Sequence, residues 1–117
     1  MRKILIAIVG FVILTSFNNY NDVSFEAKFE IKENTLVVQS TKGFTFNLMA
    51  FTKKKNIYFN QSGMINYKVK SEVENSDFIF KINRQNNKVT LEGIKNTNWK
   101  TLEFKNTARV DQNGILK

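Results

Sequence analysis

The sequence contains no cysteine, no histidine and no proline. Without cysteine there is no disulfide framework, and without cysteine or histidine the commonest ligands for transition metals are missing. The side chain that most often serves as a general base near neutral pH is absent with histidine. Three frequent routes to catalysis are closed, and any enzyme built on this chain would have to work with carboxylates and hydroxyls. Long apolar runs are lacking too. The longest, Ile4 to Leu14 in "ILIAIVGFVIL", has eleven residues, short of the roughly 18–20 needed to cross a bilayer as a helix.

That run has a specific setting. Arg2 and Lys3 precede it and the polar "TSFNNYND" follows it, which is the order of a secretory signal peptide. We expect residues 1–19 to be such a signal, with a short uncleaved anchor as the alternative because the small residues of a good cleavage site are lacking. Export is the expected localisation, to the periplasm, cell surface or medium, and a membrane is involved only through this segment if it is kept. Loss of Arg2 and Lys3 with the signal leaves sixteen basic against ten acidic residues, a net charge of about +6. A surplus of this kind attracts polyanions without specificity. The sixteen asparagines and the many lysines also fit a codon bias acting on composition alone.

From Val23 onward the hydrophobic period is two. In "FEAKFEIKE" Phe25, Ala27, Phe29 and Ile31 share a face opposite Glu26, Lys28, Glu30 and Lys32, the pattern of a half-buried strand. Glu33-Asn34 then supplies a turn into "TLVVQS". In "GFTFNLMAF" the alternation puts Phe44, Phe46, Leu48 and Ala50 on the core face. "NIYFN", the turn "QSG", and "MINYKVK" with Ile65, Tyr67 and Val69 inward continue the pattern. "DFIFKINR" aligns Phe78, Phe80 and Ile82, "KVTLEGI" and "WKTLEF" follow, and Asn113-Gly114 is suited to a tight hairpin turn. No segment after the signal has convincing helical periodicity, and no repeat of fixed period stands out. Eleven phenylalanines supply the bulk of a core. The expected fold is all-β over residues 20–117, a small antiparallel sandwich or barrel of about eight to nine short strands.

Chemistry-bearing clusters are few. Lys53, Lys54 and Lys55 form the one charge run, with Tyr58 and Phe59 nearby as stacking surfaces of the kind that hold single-stranded nucleic acid. Lys68, Lys70, Lys81, Arg84 and Lys88 extend this basic set onto or next to outward strand positions, where they also blunt sheet edges. The candidate anion-binding residues are therefore Lys53, Lys54, Lys55, Tyr58, Lys68 and Lys70. Glu72, Glu74 and Asp77 are close in sequence but fall in an expected loop, and their spacing is not that of a calcium loop. No cofactor or metal is expected, and Trp99 reads as a core residue.

The stretch "NIYFNQSGMIN" followed by "DFIFKINRQNNKVTLEG", residues 56–93, resembles the β-domain of minor pseudopilins of type II secretion and competence systems. There a strand ends in Phe-x-x-x-Gly and a later Phe-rich strand leads to a final hairpin. The prepilin signature itself is absent. Gly43-Phe44-Thr45 imitates its junction, but the fifth position beyond it is Leu48 where that family has glutamate, and the apolar stretch after it stops at Phe51. The expected protein is a small exported, non-enzymatic β-domain, a binding or structural module of the bacterial envelope or surface, whose partner is an anionic polymer or an envelope protein. The resemblance implies the alternative of a pilin-like subunit in a secretion or DNA-uptake apparatus. A small carboxylate enzyme is the remaining one.

Overall fold

Alternating sequence of this kind can bury only one side of each strand, so it must pair into sheets and press their apolar faces together. The computed structural model describes residues 23–116; the expected signal at residues 1–19 lies outside them. Along the chain run β1 (Glu26–Lys32), β2 (Thr35–Lys42), β3 (Leu48–Phe51), β4 (Ile57–Asn60) and β5 (Gly63–Ile65). A helical turn α1 (Lys70–Glu74) follows, then β6 (Ile79–Gln85), β7 (Lys88–Lys95), β8 (Thr101–Lys105), β9 (Thr107–Asp111) and β10 (Gly114–Leu116). The strands form two antiparallel sheets, β10-β9-β1-β2-β3 and β5-β4-β6-β7-β8. The fold is thus an all-β sandwich, with ten strands among the described residues where eight or nine were expected.

Between the sheets lies a core of rings. Phe25, Phe29, Phe59, Phe78 and Phe80 are the bulkiest fully buried side chains, each contributing on the order of 1.5–3 kcal/mol by leaving water. Leu36, Val38, Ile82, Val89 and Leu91 fill the space around them. Trp99 is buried as expected, and its indole N–H donates to the Asp111 carbonyl at 2.9 Å.

The two sheets are built by one repeated unit. In the first half, Leu36 opposes Phe51 and Val38 opposes Met49; 53 residues on, Val89 opposes Phe104 and Leu91 opposes Leu102. The irregular step between Glu26 and Ala27 in β1 returns between Ile79 and Phe80 in β6. β1 pairs with β9 as β6 pairs with β4, Ala27 opposing Val110 as Phe80 opposes Phe59. Each half gives three strands to one sheet and two to the other. Because the exchange is reciprocal, the halves are related by an approximate twofold axis, and the equivalent rings Phe25 and Phe78 stack on each other at 4.1 Å. No repeat was legible in the sequence because the halves share few identities: Phe25/Phe78, Lys28/Lys81, Asn34/Asn87, Lys42/Lys95, Phe51/Phe104, Gln61/Gln112 and Gly63/Gly114. The spacing also shrinks from 53 to 51 residues after β3, as the pairs Phe51/Phe104 and Gly63/Gly114 show.

Several local expectations are corrected. The alternation in "GFTFNLMAF" does not run through. The chain leaves β2, Thr45 N–H donates to the Gln61 carbonyl at 2.8 Å, and Phe44 and Phe46 turn in against Phe78 and Phe59. When the strand resumes as β3 its phase is reversed, so Met49 and Phe51 face the core while Leu48, 59% exposed, and Ala50 face out. β5 stops at Ile65, and Tyr67 and Val69 are exposed rather than inward. Glu72 and Glu74 sit on α1 and not in a loop, although no residue of that turn is buried. The last hairpin turns on Gln112-Asn113, one residue earlier than expected, with Gly114 opening β10 opposite Asp111. Arg84 is the largest departure, an inward side chain only 3% exposed.

Candidate anion-binding surface

The strand β4 is buried on one side by Ile57 and Phe59 and presents Tyr58 on the other. Phe59 is fully buried, so it offers no stacking surface to a ligand, contrary to the expectation from its position beside Tyr58. Tyr58 is flanked by Ile65 on β5 and Lys81 on β6. Just past β5 the chain folds back. The Asn66 carboxamide oxygen accepts the Lys68 N–H at 3.0 Å, its carbonyl accepts the Val69 N–H at 3.0 Å, and its own N–H donates to Glu72 Oε1 at 3.2 Å. This Asx-type turn lays Tyr67 over Tyr58 with ring centroids 4.6 Å apart and planes 9° from parallel.

Around the two tyrosines runs an open groove of about 510 Å³ bordered by Lys53, Asn56, Met64 and Lys68. Met64 is 53% exposed and Tyr67 41% exposed, so the floor is apolar and wet. Among the described residues neither Lys53 nor Lys68 forms an ion pair; the six ion pairs present use other lysines and Arg109. Two uncompensated ammonium groups beside a stacked aromatic pair form a surface that favours a flat or apolar group carrying negative charge.

The fold gathers part of the expected set and disperses the rest. Lys53, Tyr58 and Lys68 share this groove. Lys55 borders a neighbouring groove of about 310 Å³ with Asn83, Gln85, Lys88 and Thr90, and Asn56 borders both. Lys54 is exposed, and its carbonyl accepts the Arg84 N–H at 2.7 Å. Lys70 opens α1 and pairs with Glu74 at 3.9 Å, away from either groove. Lys81 is occupied by Glu92 at 3.0 Å, and that hydrogen-bonded carboxylate holds its ammonium above the usual lysine range. Lys88 is likewise paired, with Glu103 at 2.7 Å.

Tyr67 and Asn56 were not foreseen as parts of this surface, and Arg84 was expected as an outward cation of the basic set but lies inside. Period-two reading assigned Tyr67 to the core because it continued a strand that ends at Ile65. For Arg84 the signal was present: it follows Phe80 and Ile82 at the same spacing, and its charge was given more weight than its phase. Among the described residues no three His, Cys, Asp or Glu side chains come together in a way that could hold a metal ion. Compared with protein-family models, curated proteins and solved structures, the chain has no match.

Proposed function

We propose that this domain is a non-enzymatic binding module for an anionic polymer, gripped on the outer side of β4 and β5 by the Tyr58–Tyr67 pair and by Lys53 and Lys68. The observation that carries this reading is the coincidence of the stacked tyrosines with two lysines that lack acidic partners among the described residues. The corresponding place in the other half supports it by contrast. There Arg109 stands where Tyr58 does, opposite Lys28 as Tyr58 is opposite Lys81, and Arg109 is bound to Glu26 at 2.6 Å. One face is neutralised and the other is left open. Export by the N-terminal segment would put the module in the cell envelope, where acidic polymers are abundant.

The test is titration of the full chain with dextran sulfate and, separately, with a twelve-nucleotide oligothymidine at low and near-physiological salt. Binding to at least one is expected, weakening steeply as salt rises because bound counterions are released. Tyr58→Ala is expected to weaken it about tenfold, the scale of one lost stacking contact, and Lys53→Ser with Lys68→Ser is expected to flatten the salt dependence. Absence of binding to both polymers at low salt would end this reading.

A second reading, a subunit of a pilin-like assembly, draws on one edge. β3 and β8 are equivalent edge strands, but β8 carries Glu103 and Lys105 while β3 is "LMAF" without a charge and with Leu48 exposed. An uncharged edge invites addition of another strand. Leu48→Lys would abolish any self-association that depends on it, as sedimentation would show.

A further inference from the structure

Among the described residues Arg84 has no carboxylate partner. Its Nη2 donates instead to three backbone carbonyls, Asn34 at 2.7 Å, Thr52 at 3.1 Å and Phe51 at 3.5 Å, and its Nε is buried without any partner. Burying a guanidinium with no counter-ion is costly, and the repeat shows that the fold does not require it. The equivalent residue in the first half is Ile31, 53 residues earlier. The backbone bond is the same in both halves: Ile31 N–H donates to the Asn106 carbonyl at 2.8 Å, and Arg84 N–H donates to the Lys54 carbonyl at 2.7 Å. Only the side-chain bonds differ.

What those bonds hold is the loop between β3 and β4, the place where the first half is two residues longer than the second and carries Lys53, Lys54 and Lys55. Thr52 and Lys54 are tied to Arg84 on one side of the loop, and Asn56 N–H is tied to Asn83 Oδ1 at 2.6 Å on the other. Asn56 takes a positive φ of 56° and borders both grooves, so the loop is the ridge between them. The two departures from the repeat, an arginine for an isoleucine and a longer lysine-bearing loop, occur in contact with each other.

We infer that Arg84 is a positioning residue for the anion-binding surface: from inside the sandwich it clamps the Lys53–Asn56 ridge in place and adds an uncompensated positive charge beneath it. This rests on the binding function proposed above. A clamp keeps the loop lysines from losing their order each time a ligand leaves, so less conformational entropy is lost on binding, and a buried cation raises the potential felt by an approaching anion.

The full chain tests this through two amides. Asn56 N–H reports on the clamped loop, and Asn106 N–H, bonded to the Asn87 carbonyl at 2.8 Å, reports on its unclamped counterpart. In Arg84→Met, hydrogen exchange at Asn56 is expected to speed up about tenfold or more while Asn106 is unchanged, and affinity for dextran sulfate is expected to fall about fivefold or more, the scale set by losing one charged hydrogen-bonding group. Arg84→Lys keeps the charge and is expected to recover part of both losses. It also serves should methionine prevent folding. Equal changes at the two amides, or none at Asn56, would overturn the positioning role. If the unmodified chain binds neither dextran sulfate nor the oligothymidine, the binding function fails, and the Asn56 exchange still decides whether Arg84 is a clamp; if it binds only the oligothymidine, that polymer replaces dextran sulfate in the affinity comparison.

Discussion

The two halves of this molecule have the same strand pairing and different surfaces. Phe51 and Phe104 face the core from equivalent edge strands, and Gln61 and Gln112 occupy equivalent turns. Each of those glutamines accepts a backbone N–H where the other half's first strand begins, Asp77 at 2.8 Å and Phe25 at 3.0 Å. Thr45 N–H and Asn98 N–H each donate at 2.8 Å to those turns' carbonyls. Outside the core the agreement is broken at the positions that shape the surface. The first half has a tyrosine where the second has an ion-paired arginine, a lysine-bearing loop two residues longer, and an uncharged edge strand where its counterpart is charged. Packing holds a repeated unit to its pattern, because a core tolerates little change of volume; a solvated face is under no such constraint. Departures from the repeat that the core does not demand are therefore the best internal guide to function.

The strongest way to challenge the equivalence of the halves is at the axis between them. Phe25→Ala and Phe78→Ala are each expected to cost about 3–5 kcal/mol, and nearly the same amount, in urea unfolding followed by Trp99 fluorescence. A difference above about 2 kcal/mol would mean that one half dominates the stability. In the double variant the loss should be smaller than additive, because the rings stack on each other.

A smaller effect separates the two glycine turns. Gly63 and Gly114 open β5 and β10 with φ of 112° and 130°, a region that side chains rarely enter, so alanine at either is expected to cost about 1–3 kcal/mol. The surroundings differ: a Cβ on Gly63 would lie 2.7 Å from Met49 Sδ, whereas on Gly114 the nearest atom is Leu102 Cδ2 at 3.8 Å. Gly63→Ala should therefore be the more destabilising of the two in the same unfolding assay. Equal losses would show that Met49 moves aside freely.

The smallest effect concerns Lys81 and its equivalent Lys28. Lys81 is held by Glu92 at 3.0 Å with its proton bound more tightly than usual, while Lys28 lies 3.9 Å from Glu30 and is half exposed. A raised lysine pKa stabilises the fold below the ordinary lysine value of about 10.4 and loses that contribution as pH rises through the folded value. Stability should be flat from pH 6 to 9 on this account and decline only in the alkaline range. Glu92→Gln should remove that alkaline decline, and both Glu92→Gln and Glu30→Gln should cost less than about 1 kcal/mol at neutral pH.

How much was legible in the chain differs by feature. The hairpin of β1 and β2 around Glu33-Asn34 was placed correctly, with the inward residues of β1, because period two and local turn chemistry are encoded side by side. The reversal at β3 was hidden: Phe44 and Phe46 are apolar at the expected spacing, but they turn inward from an irregular segment and the strand begins again one residue out of phase. Of the surface, Lys53, Tyr58 and Lys68 were visible as residues. Their meeting with one another and with Tyr67 was not, since it depends on a turn at Asn66 that ends β5 after three residues.

The sequence by itself determined that this is an all-β chain without thiol or imidazole chemistry, with a phenylalanine core and a basic excess, because composition and alternation act within a few residues. Only the tertiary structure decided that two halves interlock about an axis, that Arg84 is inside and that two tyrosines stack beside Lys53 and Lys68. Strand pairing across more than fifty residues leaves no local trace when seven identities are all that the halves retain.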